Sequence, residues 1–142
     1  MDTQIEIDSK EVVEFLTYLR HAAADLRQPF DVIGQYLVSE TQLRFRKGVD
    51  PEGNLWKPSQ RVLKEGGQTL VKTGRLSKSI THKTTKDSLS IGTNIKYGPA
   101  HQFGWQRKHI PARPYLGLNL SRDLPEIERV LFNYLTKKPV NG

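Results

Sequence analysis

Between residues 97 and 117 the chain places prolines at 99, 111 and 114 and glycines at 98, 104 and 117, a punctuation that forbids a long helix or strand. The same stretch carries Tyr97, Phe103, Trp105 and Tyr115. That much aromatic area is not left in water by a structureless segment. The stretch is therefore expected as a long ordered Pro/Gly-rich loop, packed down either on its own core or on a partner. Regular elements have to come from the sequence on either side of it.

Those elements are legible from periodicity. Residues 3–8 alternate, with Ile5 and Ile7 on one side and Gln4, Glu6 and Asp8 on the other, which predicts a short strand. Ser9 is placed as an N-cap, and Val12, Phe15, Leu16, Leu19, Ala22, Ala23 and Leu26 recur at helical steps. A second helix should begin near Pro29, carry Phe30, Ile33, Leu37 and Phe45 inward, and end at Gly48 as a left-handed cap. Residues 49–58 read as a loop pinned by Trp56. Thr73 should cap a single helical turn over 74–78. A β-hairpin follows, with strand 79–85, turn 86–88 and a returning strand through Leu89, Ile91, Thr93 and Ile95. A last helix opens at Asp123-Leu124-Pro125 with Leu124, Ile127, Leu131, Tyr134 and Leu135 inward, and residues 137–142 form a frayed tail. The fold class expected is α+β: a small antiparallel sheet that includes the hairpin, packed against two or three amphipathic helices, as one domain over residues 1–142.

Charge is unevenly spread. Of a net +7, residues 53–122 hold 13 Lys or Arg against Glu65 and Asp87, whereas the flanks hold 9 bases and 13 acids. A basic middle between acidic flanks suits a subunit that meets an acidic surface on an identical neighbour, another protein or a nucleic acid. With no cysteine, disulfides and thiolate metal sites are excluded, and a reducing cytoplasm is the simplest setting for synthesis. The N-terminus lacks the basic flank and apolar run of a secretory signal, and no segment approaches a membrane span.

Catalytic patterns are scarce. His101 and His109 lie eight apart in irregular chain, with no Asp or Glu from Ser88 to Arg122 to orient an imidazole, so a metal-dependent enzyme using that pair is only an alternative. The acids around Gly53 miss calcium-loop spacing, and neither a nucleophile elbow nor a glycine-rich phosphate loop occurs. No cofactor and no enzymatic activity are expected. A second alternative is a nucleic-acid-binding module using the basic segment 96–122, where Arg107, Lys108, His109 and Arg113 accompany Trp105 and Tyr115.

Four strings then occur in order: Asp50-Pro-Glu-Gly-Asn-Leu-Trp56-Lys-Pro58, Leu70-Val-Lys-Thr-Gly74-Arg-Leu76, Tyr97-Gly-Pro-Ala-His101-Gln-Phe-Gly104 and Ile110-Pro-Ala-Arg-Pro-Tyr-Leu-Gly117. Together they resemble the phage virion morphogenesis proteins, the tail completion and head–tail joining proteins of Mu-like and P2-like tailed phages. The resemblance implies a non-enzymatic neck or tail-end subunit of the virion, assembled in the host cytoplasm. It further implies a homo-oligomeric ring, expected as a hexamer, that contacts tail tube or terminator and head-neck proteins and transiently the passing DNA, with no membrane partner.

The docking residues expected for that role are Trp56, Tyr97, His101, Phe103, Trp105, Arg107, Arg113 and Tyr115, contributed by the 97–117 segment and the 49–58 loop. On this reading either Arg113→Ala or Trp105→Ala should leave the fold intact and impair joining.

Overall fold

The computed structural model describes residues 25–59 and 74–137 continuously, together with 3, 4, 10, 13, 14, 17, 63, 64 and 66. Its described elements are β1 (Thr3–Gln4), α1 (Arg27–Lys47), α2 (Arg75–Lys78), β2 (Thr81–Thr84), β3 (Leu89–Thr93), α3 (Gly98–Phe103), a 3-10 turn (Gln106–Lys108) and α4 (Leu120–Lys137). The arrangement is α+β, as expected. The sheet order is β1-β3-β2 and both pairings are antiparallel, with His82 opposite Ile91 and Thr3 opposite Thr93. Of the first amphipathic helix, Lys10, Val13, Glu14 and Thr17 are helical, while its cap Ser9 and its apolar stripe up to Ala23 lie outside the described residues, as do Ile5, Ile7, Thr73 and residues 138–142.

The backbone of the fold is α1, whose ends follow from local chemistry. At its start Asp25 Oδ1 accepts the Arg27 N–H at 3.0 Å, which satisfies a donor left over in the first turn. At its end Arg44, Arg46 and Lys47 stand against the negative pole, and Gly48 takes the left-handed conformation (φ 70°) that lets its N–H reach the Arg44 carbonyl. Inward-facing Phe30, Ile33, Leu37, Thr41, Arg44 and Phe45 follow three- and four-residue steps.

Two apolar clusters divide α1 between them. Its N-terminal half packs Leu26, Phe30, Ile33 and Leu37 against Ile127, Val130 and Leu131 of α4. Its C-terminal half sets Phe45 among Trp56, Leu76, Ile80, Tyr115 and Leu116. The two long helices run antiparallel: Tyr36 Oη donates to Asp123 near the start of α4, and Tyr134 Oη near its end donates to the Asp25 carbonyl.

The start of α4 corrects the sequence expectation by a turn. Asn119 Oδ1 accepts the Arg122 N–H and Asp123 Oδ2 accepts the Asn119 N–H at 2.9 Å, so capping is complete before Pro125, which sits inside the helix. The 97–117 segment is likewise not a loop throughout. Pro99 lies in the first turn of α3, where its missing N–H would have had no helical partner, so proline starts this short helix rather than preventing it.

Candidate docking surface

The site is built on a strap, residues 113–117, that lies across the C-terminal half of α1 and is bound at nearly every residue by another element. Arg44 Nη1 donates to the carbonyls of Tyr115 (2.9 Å) and Gly117 (3.0 Å), and its Nη2 stands 3.7 Å from Asp123 Oδ2. From α3, Gln102 Oε1 accepts the N–H groups of Tyr115 and Leu116 while its Nε2 donates to the Leu116 carbonyl. Trp56 Nε1 donates to the Pro114 carbonyl at 2.8 Å, and Arg113 Nε donates to the Lys57 carbonyl at 2.7 Å. Tyr115 Oη closes the network on the Gly98 carbonyl.

Electrostatics match this burial. Desolvation pulls the Arg44 guanidinium below the usual arginine range, opposed by the Asp123 carboxylate, and desolvation also lowers Arg113. Burial pushes the Tyr36 phenol up to about 12, reinforced by its hydrogen bond to Asp123, and raises Tyr115 by desolvation alone. These groups act as hydrogen-bond donors in buried or partly buried positions.

Three expected docking residues thereby belong to the interior. Trp56, Arg113 and Tyr115 are 7%, 5% and 0% exposed, and Phe45 meets the Trp56 ring edge-on at 5.5 Å and the Tyr115 ring at 5.1 Å. Their assignment as surface anchors is corrected, because each side chain is committed to backbone groups of its own chain and could not reach a partner without opening the core. Arg113→Ala should accordingly disturb the fold instead of sparing it. His101 is half-buried: its ring lies edge-on to Tyr97, and its Nδ1 is buried without a hydrogen-bond partner among the described residues. Burial, and secondarily the Arg113 charge, hold its pKa below the ordinary histidine value.

The other four residues form an exposed lobe carried by the strap. Tyr97, Phe103 and Trp105 are 39%, 65% and 47% exposed, and Arg107 is exposed beside them. Trp105 and Ile110 exchange N–H···O bonds of 2.8 and 3.0 Å, closing a tight turn over Gln106–His109 in which His109 adopts φ 54°. Histidine is among the residues that tolerate this region, so the tip is a built turn. Gly104 joins α3 to it at φ 78°, where a Cβ would stand 2.9 Å from the Ala112 nitrogen, and only glycine fits. Lys108 Nζ lies 5.9 Å from the centre of the Trp105 ring. His109 sits on this exposed tip, apart from half-buried His101, and no group of three or more His, Cys, Asp or Glu among the described residues is placed to hold a metal.

Within the 49–58 loop, Asp50 accepts the Asn54 N–H and Val49 bridges Leu55, so its acid organises a turn while Leu55 stands 81% exposed. Sequence reasoning missed the polar side chains that bind the strap. Arg44 carried a signal, since it falls on the inward stripe of α1 four residues after Glu40 and three after Thr41. Gln102 carried none.

Residues 7–136 match the sequence model of the phage virion morphogenesis family. The chain is 31% identical over 119 residues to the Mu-like prophage FluMu G protein 2 of Haemophilus influenzae, covering 80% of this chain and 82% of that protein. It is 32% identical over 114 residues to an uncharacterized protein of Methanocaldococcus jannaschii, covering 70% of this chain and 84% of the relative. No solved structure is significantly similar.

Proposed function

Because this chain belongs to the phage virion morphogenesis family, we propose that it is a non-enzymatic structural subunit that completes the tail end of a tailed phage or prophage and joins tail to head within a ring. Its broad role in building a virion follows from the family; tail completion, the ring and a place in the neck are the finer reading. Its partners on this reading are further copies of itself, tail tube or terminator proteins and head-neck proteins, with transient contact to passing DNA. No helix among the described residues is long and apolar enough to cross a membrane.

The observation that supports it is the lobe. The strap, bound at nearly every residue by other elements, supports a tip closed by its own hydrogen bonds on which Phe103 and Trp105 stand in solvent. Exposed aromatics on a braced turn, surrounded by cations, are what a docking surface needs, because little conformational entropy is lost when a partner covers them. A basic lumen offered to DNA is less well supported at this tip, since Lys108 already lies over the Trp105 ring on which a base would stack.

A phage or prophage deleted for this gene should accumulate separate heads and tails, and supplying the wild-type chain should restore joined particles counted by electron microscopy. Trp105→Ala should fold normally yet restore at least tenfold fewer. Joined particles at wild-type level with that variant, or separate heads and tails never appearing in the deletion, would count against the reading.

A further inference from the structure

The lobe carries large apolar rings and cations on the same few residues. Phe103, the last residue of α3, and Trp105, two positions on, are 65% and 47% exposed. Lys96, Arg107 and Lys108 are exposed as well, and no acid occurs in the sequence from Ser88 to Arg122. Neither Lys96 nor Arg107 forms an ion pair with an acid among the described residues. The Lys108 ammonium stands 5.9 Å from the centre of the Trp105 ring, so a carboxylate that reaches it arrives beside the indole. Whatever covers this surface has to supply apolar contact and negative charge side by side.

Surfaces that carry negative charge differ in what they offer the rings. Duplex DNA presents phosphates while its bases stay stacked, so Phe103 and Trp105 would be set against charge without an apolar seat. A second copy of this chain has few carboxylates to give. Among the described residues Asp25, Glu40, Asp123 and Glu126 are each paired with an arginine of their own chain, and Asp31, Asp50 and Asp87 accept hydrogen bonds within it. Two copies at net +7 also repel each other before contact. The assembly reading calls for protein surfaces on heads and tails, not for an anionic bilayer, which would otherwise also take rings and cations together. A different protein can place Asp or Glu around an apolar hollow, and that meets both requirements.

Resting on that reading, we infer that the lobe docks onto a protein other than this chain, at an apolar hollow edged by Asp or Glu side chains. Phe103 and Trp105 enter the hollow, and Lys96, Arg107 and Lys108 meet the carboxylates at its edge. The hydrogen bonds between Trp105 and Ile110 hold the indole and the turn carrying Arg107 and Lys108 as one unit, which limits what has to be ordered on docking.

Heads and tails purified separately from the deletion phage and treated with nuclease serve as probes for co-sedimentation of the full chain. The wild-type chain should bind one of the two particles, with affinity falling at least about tenfold between about 50 and about 300 mM NaCl. Arg107→Glu with Lys108→Glu should weaken binding at least about tenfold at the lower salt, and Trp105→Ser should weaken it by as much through lost apolar contact. Particles whose carboxylates have been amidated with glycinamide, and which electron microscopy shows to be intact, should no longer bind. Binding that ignores salt, charge reversal or amidation overturns the inference and leaves the assembly reading standing, as does binding to neither particle. Tighter binding to a short mixed-sequence DNA duplex or to phosphatidylglycerol vesicles than to either particle overturns it in favour of DNA or lipid. Self-association that Trp105→Ser abolishes, read by light scattering, overturns it in favour of a second copy. A deletion that yields no separate heads and tails removes the assembly reading itself, and this inference with it.

Discussion

Residues 113–117 and residues 103–109 lie in one irregular stretch, and both combine cations with aromatic rings, yet Tyr115 is 0% exposed and Phe103 is 65% exposed. What separates them is the source of their backbone partners. The strap takes its hydrogen bonds from side chains of α1, α3 and the 49–58 loop, so its own side chains are drawn into the core with it. The tip takes its bonds from within, between Trp105 and Ile110 and through the 3-10 turn, so nothing pulls its side chains inward. Within this stretch, the aromatics on the turn that satisfies itself are docking candidates, and the one on the strap that depends on others is core.

The sharpest way to break this contrast is Arg44→Met. It removes the donor to two strap carbonyls and leaves the Asp123 carboxylate without its cation, a loss of about 3–5 kcal/mol in stability that urea denaturation would read. If stability barely moved, the strap would not depend on borrowed partners. Next comes Gln102→Leu, which strips the acceptor from two buried N–H groups and should cost about 2 kcal/mol by the same measurement. By contrast Phe103→Ser or Trp105→Ser in the lobe should change stability by no more than about 0.5 kcal/mol, as exposed sites do.

The smallest effect concerns His101, which sits between the two regions and whose carbonyl accepts the Arg113 N–H. Its folded pKa lies below its ordinary value of 6.5, so the unfolded chain takes up the proton first and stability falls as pH drops below 6.5 toward the folded pKa. In His101→Phe that share of the decline should vanish. Parallel denaturation series from pH 7 to about pH 5 would show no difference in slope if the imidazole were not desolvated.

Much of the scaffold was legible before any coordinates. The span of α1, its left-handed stop at Gly48, the hairpin turn at 86–88 and the inward face of α4 all follow from local periodicity and turn chemistry. Val130 was missed on that face, and the start of α4 was placed a turn late because Pro125 drew attention from the Asn119 cap. The four strings that mark the family were also visible as a linear order.

Three of the eight expected docking residues were misjudged for a different reason. Trp56, Arg113 and Tyr115 look the same as Trp105, Arg107 and Tyr97 in one dimension, since residue type and neighbouring prolines do not reveal which carbonyl will find which donor. By itself, then, the sequence determined α1, α4, the hairpin, the lack of disulfides and the family, all of which depend on residues close together or on their order. Only the tertiary structure decided which aromatics are core and which are surface. That choice is made by hydrogen bonds between residues as far apart as Arg44 and Gly117, and no local pattern encodes a partner at that distance.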